Sequence, residues 1–524
     1  MASLSSILPL AARARHRPLA LWAGSGLIGA LLLLPLAFLL LEARQVGWGQ
    51  LSALLFRQLT LQLLWNMVAL TAVVTALCAV LGTAAAWFVQ RTEFPGRRAF
   101  SVLLVLPLAI PDFVVAFGWV SVAPWASGLG GAVLVMTLGL YPLVYLPVAA
   151  SLRGADPGQE EAARTLGLGP GRTFWRVTLR QARPTIMAGC LLVGLALLAE
   201  YGAFEILGYQ TFTTEIFTEF QIGFDAPAAA ALSLVVVLLG LLLLLGEGWV
   251  SGRGRPGRTA ARVGRGHPRL RLGRRRWLVT GASLALVALA LGVPLAVIAF
   301  WTVRGGATTL PQSTSVAGAA GYSLAYSAVA ALISTGLALP VALLAVRHPG
   351  LATRSLERST YIVQGLPGVV VALALVFFCL HYLGWLYQSS VLLVAAYAIL
   401  FFPLAYVPVR ASVLRTPPGL EEVGRSLGRS AWAVRWRVGL PLIAPGLAAG
   451  FCLVFLSAVT ELTATLILVP TGVQTLATQF WAYTSNVSYG AAAPYAAAIV
   501  VISLVAGLGL GRWFDRQVGG GRGT

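Results

Sequence analysis

The sequence contains no lysine: all 37 of its basic residues are arginine. A phosphate-cradling loop of the G-x-x-x-x-G-K-[ST] type is therefore excluded, because its lysine must reach the phosphates. Charge of either kind is scarce, at 10% of 524 residues, where soluble domains carry about 25%. Histidine and cysteine are scarcer still, at four each. His16, His267, His348 and His381 form no cluster, so a tight metal cage built by this chain is not expected. Cys78, Cys190, Cys379 and Cys452 lie singly in apolar runs without metal-ligand spacing, as small apolar fillers. No set of His, Cys or carboxylates gathers on one face to suggest an enzyme, and no cofactor or catalytic residue is expected.

What is present is apolar sequence. Hydrophobic residues make up 58% of the chain, and the mean hydropathy is +0.84. A water-soluble surface cannot absorb this much. Many runs also reach about 20 residues, the length of a helix that crosses a bilayer. Twelve segments can be marked, near 19–41, 61–89, 99–121, 129–151, 185–206 and 227–250, then 277–301, 320–346, 359–383, 389–411, 443–467 and 489–511. The first resembles a signal peptide in its basic flank but is too long for one. The expected fold is an all-α integral membrane protein.

The net charge of +20 would suggest nucleic acid in a soluble protein. Here topology explains it better, and no nucleic-acid partner is expected. The "RARHR" start, the "RTEFPGRR" loop, the region around Arg153 and ten arginines between Gly252 and Arg276 all fall on one face. Loops such as "VAPWASG" and 469–489 have none. The positive-inside rule then places both termini in the cytoplasm, with contact to anionic membrane lipid arising from the same placement. The Gly-, Pro- and Arg-rich stretch 252–276 reads as a linker between a first unit, 1–251, and a second, 277–524.

The two units are repeats. A shift of 261 superposes "YPLVYLP" on "FPLAYVP". The same shift pairs Glu160 with Glu421, Glu161 with Glu422, Gly167 with Gly428, Trp175 with Trp436, Pro184 with Pro445, and Glu200 with Glu461. It holds for about 60 residues without a gap, and six spans per half keep the copies in one orientation. The charged segment 158–184 reads as two short helices joined by a bend. Asp156 and Gln159 would cap the first, Gly167 would end it, and Pro184 would open the span. In the second copy Pro417 and Pro418 precede the acidic pair and Ser430 caps the next helix. A helical knob kept twice suggests docking to a two-fold partner.

"EAARTLG" and "EVGRSLG" resemble the EAA loop of ABC importer permeases. That family's pattern is Glu-Ala-Ala, three residues, then Gly, and the second copy departs from it at Val423 and Gly424. The resemblance implies two fused permease repeats of about six spans, each with a cytoplasmic coupling helix. Glu160, Glu161, Ala162, Ala163 and Gly167 would couple one ATPase subunit. Glu421, Glu422, Gly424 and Gly428 would couple another. It also implies a periplasmic substrate-binding protein and a place in the bacterial inner membrane. "LLAEYGAFEILGYQTFTTEIFTEF" and "ELTATLILVPTGVQTLATQFWAYTS" are similar to the ferric-iron branch, although thiamine and polyamine permeases share the architecture. A twelve-span secondary transporter is the alternative.

For the path itself, Glu200 and Glu461 stand about 16 residues past Pro184 and Pro445, roughly 24 Å along their spans. Carboxylates in a span are costly, which favours a role for both. Glu205, Glu215, Glu219 and Asp225 add negative charge near that end, as an anionic vestibule or as ordinary loop acids. Asp112 lies just after the helix-breaking Pro107 and Pro111, as a path residue or a structural partner, and has no acidic twin in "LPGVVVALALVFF".

Overall fold

A computed structural model describes residues 19–155, 157–223, 225–251, 269–305, 313–416 and 419–519. Among these described residues, nine helices are long and apolar enough to cross a membrane. Three further pairs qualify as broken spans, bent by 92°, 108° and 53°. Each of the twelve apolar segments has its counterpart among these, six before the linker and six after. Leu27, Val80, Leu238, Leu332 and Val501 expose apolar side chains outward, as a helix does when its solvent is lipid.

The broken pairs have chemical causes. Arg97–Ala109 and Asp112–Val120 meet at Pro111, and Leu351–Gln364 and Gly368–Tyr382 meet at Pro367. Proline supplies no N–H and pushes its predecessor out of the helical region. Pro111 and Pro367 both hold extended backbone at the start of the next helix.

Two expected boundaries are corrected. Pro184 does not open its span, because it lies inside Leu179–Ala199, continuous with helix from Gly171. The second short helix, Pro170–Thr173, is therefore the cytoplasm-side start of the span, joined through a π turn at Phe174–Thr178. Membrane helices tolerate such prolines, because local π adjustments re-satisfy the freed backbone groups. The same span ends at Ala199 rather than 206. Glu200 turns extended, and a separate helix, Gly202–Ile206, comes next. The second half repeats this, with Leu440–Val459 succeeded by Thr463–Leu468.

The halves interlock. Helix Leu19–Val46 packs on Gly368–Tyr382, Ser313–Arg347 and Leu351–Gln364 of the second half, with Phe38 edge-on to Phe378 at 6.0 Å. Val293–Arg304 crosses the other way onto Asp112–Val120, where a Cβ on Gly118 would come within 3.0 Å of Pro294. The only strands among the described residues are two-residue segments: Thr92–Glu93 pairs in parallel with Leu270–Arg271 at the end of the linker.

Candidate functional site

The repeated segment forms a helix, Pro157–Thr165, that packs on the turns Pro170–Thr173 and Phe174–Thr178 leading into the next span. Gly167 ends it at φ 84°, a conformation that costs other residues about 1–2 kcal/mol. The Leu168 N–H then bonds back to the Ala163 carbonyl at 3.0 Å. Helix Gly419–Ser426 repeats the device with Gly428 at φ 77° and Arg429 N–H on the Gly424 carbonyl at 3.2 Å. Ser430 does cap the next turn, its Oγ accepting from Ala433 N–H at 3.2 Å. Gln159 Oε1 accepts from Gln181 at 2.5 Å, and the capping box expected with Asp156 falls outside the described residues. Asp156, Pro417, Pro418 and the side chains of Glu421 and Glu422 lie outside the described residues.

The helix has two faces. Glu160 and Ala163 are buried, whereas Glu161, Ala162 and Gly167 are exposed and Leu166 is 83% exposed. The inward position must be small. At Gly424, the counterpart of Ala163, a Cβ would lie 2.9 Å from Val434. The outward side continues into exposed Trp175 in one half and Leu427, Trp432 and Trp436 in the other. Large apolar groups are thus exposed in matched places of the two halves.

At the centre, Asp112, Glu200 and Glu461 line one cavity of about 270 Å³ between the halves. Each Glu also caps the short helix after it. Glu200 Oε1 accepts from Ala203 N–H at 2.7 Å, and Glu461 Oε1 from Ala464 N–H at 2.9 Å. Thr213 and Thr465 hold the two turns by donating to the Glu200 and Glu461 carbonyls, at 2.5 and 2.6 Å. Glycines leave room for the carboxylates. A Cβ on Gly368 would lie 2.6 Å from Glu461 Oε1, and one on Gly139 would strike Asp112. Among the described residues no three His, Cys, Asp or Glu side chains converge closely enough to hold a metal ion.

A second cavity, of about 320 Å³, lies beyond Phe117 and contains Glu205 with Trp481 and Tyr489. Aromatic packing separates the two. Phe480 sits 5.3 Å from Phe113, on the central cavity, and 5.5 Å from Phe117, on the far one. The remaining far-side acids are engaged. Arg57 bonds Glu219 at 2.9 Å and lies 3.6 Å from Glu215, and Asp225 caps its helix through Ala228 N–H at 3.0 Å. Burial, then neighbouring Glu219, raises the Glu215 carboxyl above its usual range, against the pull of Arg57. The structure thus brings together Asp112, Glu200 and Glu461, leaves Glu205 one cavity away, and ties Glu215, Glu219 and Asp225 into the fold.

Sequence reasoning missed Gly368, Arg91, Arg57 and Phe480. A second shift would have found the first two. From Arg91 to Asp112 the repeat runs at 256, pairing Arg91 with Arg347 and Asp112 with Gly368.

This architecture, two six-span repeats with matched helical knobs on one face and a polar cavity between them, defines a membrane transport component. Residues 79–255 and 334–519 both match the family described as binding-protein-dependent transport system inner membrane component, and the chain belongs to that family. Among curated relatives, it is 37% identical over 485 residues to the Fe(3+)-transport system permease protein FbpB 2 of Haemophilus influenzae, covering 91% of this chain and 95% of that one. The sulfate transport system permease protein CysT of Escherichia coli is 30% identical over 41% of this chain and 84% of its own length. The molybdenum transport system permease protein ModB of Escherichia coli is 30% identical over 37% of this chain and 97% of its own. Those two match the length of one half.

Proposed function

We propose that this chain is the permease subunit of an ATP-driven importer that passes ferric iron across the bacterial inner membrane. The observation that carries the reading is the end-to-end likeness, across both halves, to an Fe(3+)-transport permease. The family match favours this over a secondary transporter. The central cavity fits a cation. Its polar lining includes three carboxylates, which would disfavour an oxyanion such as the sulfate named for one half-length relative. With no metal cage among the described residues, iron would be passed along rather than retained.

A partner must supply the ATP chemistry, since the chain has no lysine for a P-loop. Two copies of an ATP-binding subunit would seat against Pro157–Thr165 and Gly419–Ser426, touching Glu161, Ala162, Gly167, Glu422 and Gly428. Because each helix leads through a short glycine-containing link into a span, drawing the two knobs together would tilt the spans and part the halves at Phe480. A substrate-binding protein would deliver iron to the far cavity, past Glu205, to Asp112, Glu200 and Glu461. Arginine placement supports a cytoplasmic location for both termini and the knobs. Of the arginines on the opposite side, Arg57 is compensated by Glu215 and Glu219.

The test is uptake of labelled ferric iron by iron-starved cells lacking this chain and any other iron importer. Deletion should abolish uptake and the wild-type chain restore it. Unchanged uptake on deletion would sink iron as the substrate, and thiamine and polyamines would be assayed next.

A further inference from the structure

Glu160 stands beside the family-like Glu161 but faces the opposite way. Its side chain is 11% exposed, and Oε1 lies 3.1 Å from Nη2 of Arg91, itself 5% exposed. Thr178 donates to the same oxygen at 3.0 Å. These three residues come from three elements. Arg91 is the last residue of span Gln58–Arg91, Glu160 is on the knob helix, and Thr178 is in the π turn that begins the next span. The recess around them holds only about 10 Å³, and Leu270 at the linker's end closes one side. The linker is held there by its pairing with Thr92–Glu93, immediately after Arg91.

From this geometry we infer that Arg91, Glu160 and Thr178 form a tie that makes the knob helix and two spans move as one body. It rests on the permease reading. Glu160 is then a positioning residue and not a contact to the ATP-binding subunit. Beyond this tie, Pro157–Thr165 is held by the Gln159–Gln181 bond and by buried Ala163; its outward face is exposed, and a short link with two glycines, 166–169, joins it to the next span. A nine-residue helix on a glycine hinge would swivel under load. An ion pair this buried resists separation, because breaking it strands a charge away from water. Direct packing then carries the displacement to Gln58–Arg91, a span that the chain order alone would leave uncoupled. Gly439 occupies the Thr178 position in the second half, so the hydroxyl's part in the tie belongs to the first half only.

The test uses the full complex of permease, ATP-binding subunit and binding protein in lipid vesicles, with ferric iron as cargo. Retention of the ATP-binding subunit and iron transported per ATP hydrolysed are both read. Arg91→Met and Glu160→Gln should each keep the ATP-binding subunit and lower iron per ATP about tenfold, within the usual span of coupling between sites. The double variant should fall no further than the worse single. Thr178→Val, which loses one hydrogen bond, should cost about threefold. Loss of the ATP-binding subunit in Glu160→Gln with retention in Arg91→Met would overturn the tie and make Glu160 a docking contact. So would unchanged iron per ATP. If a single variant fails to fold, the double leaves neither charge stranded and decides alone: reduced coupling supports the tie, normal coupling refutes it. A wild-type chain that retains no ATP-binding subunit would instead sink the permease reading, and the tie with it.

Discussion

The two halves of this chain agree in some places and part in others, and the pattern of agreement sorts its residues by task. Glu200 and Glu461 cap equivalent turns with equivalent bonds. Gly167 and Gly428 end equivalent helices with the same left-handed backbone. Elsewhere the halves diverge. Asp112 faces Gly368. Glu205 corresponds to Leu466, and beyond a three-residue insertion in the second half Glu215, Glu219 and Asp225 correspond to Gln479, Tyr483 and Ser488. Tyr145 donates to the Ser101 carbonyl at 3.3 Å, whereas Tyr406 donates to the Glu357 carboxylate at 2.8 Å. What must act twice has stayed matched, and what acts once has specialised. Two copies of a half-length chain could not divide labour in this way, because each position would appear on both sides.

The sharpest way to break the comparison is at the matched glutamates. Glu200→Gln and Glu461→Gln should each lower iron uptake about tenfold, a barrier change of about 1.4 kcal/mol, and together bring it to background. Glutamine can keep the capping bond, so the loss reads charge and not the turn. Full uptake in the double variant would reduce both residues to helix caps. Next in size is the unmatched position. Gly368→Asp restores formal symmetry but should cut the yield of folded protein severely, since its Cβ alone would lie 2.6 Å from Glu461 Oε1. Gly368→Ala measures the steric part, and the remaining difference is the repulsion between carboxylates.

A smaller effect is expected on the specialised pair of the second half. Glu357 accepts from both Tyr406 and Arg410, the latter at 2.6 Å. Arg410 is 35% exposed and Glu357 20%, so solvent screens the pair in part. Glu357→Gln should lower stability by about 1–2 kcal/mol, read as a shift in thermal unfolding in detergent. Ser101→Ala, at the equivalent place, should cost less, because it keeps the carbonyl that Tyr145 uses and loses only an exposed bond from Oγ to the Arg98 carbonyl at 2.6 Å. Equal shifts would mean that the two sites do the same work by different chemistry.

Much of this was legible in the residues. Apolar runs and arginine placement gave the spans, since a bilayer imposes length and charge rules that short-range sequence obeys. The 261 shift gave the repeats, the knobs and the glutamate pair. Three things were hidden for physical reasons. The break at Glu200 depends on a side chain turning back to cap Ala203, which no apolar count detects. The assembly of Asp112 with Glu461 depends on how the halves interlock, with first spans crossing over. The inward turn of Glu160 is a matter of helix phase. One residue before an exposed glutamate lies about 100° around the helix, enough to move from a partner-facing surface to a buried ion pair.

The smallest expected effect lies at the far face, where only the first half carries charge. Arg57 is 28% exposed, and its partners Glu215 and Glu219 are 16% and 18% exposed. Exposed and half-exposed pairs contribute little, so Arg57→Ala should cost about 0.5–1 kcal/mol. Ser313, an uncharged residue, occupies the corresponding place in the second half. If the cluster is only a local clamp on helix Phe212–Gln221, Arg57→Ala should shift unfolding slightly and leave iron uptake at its wild-type rate. The shift should shrink further at high salt, which screens charges separated by more than a few ångströms of water. A loss of uptake beyond about threefold with unchanged stability would contradict this and shift the comparison: the charged far face of the first half would then act on the incoming binding protein, and the two halves would differ in function there as well as in composition. At about 0.7 kcal/mol, a threefold change in rate is small enough that both readouts must come from the same preparation.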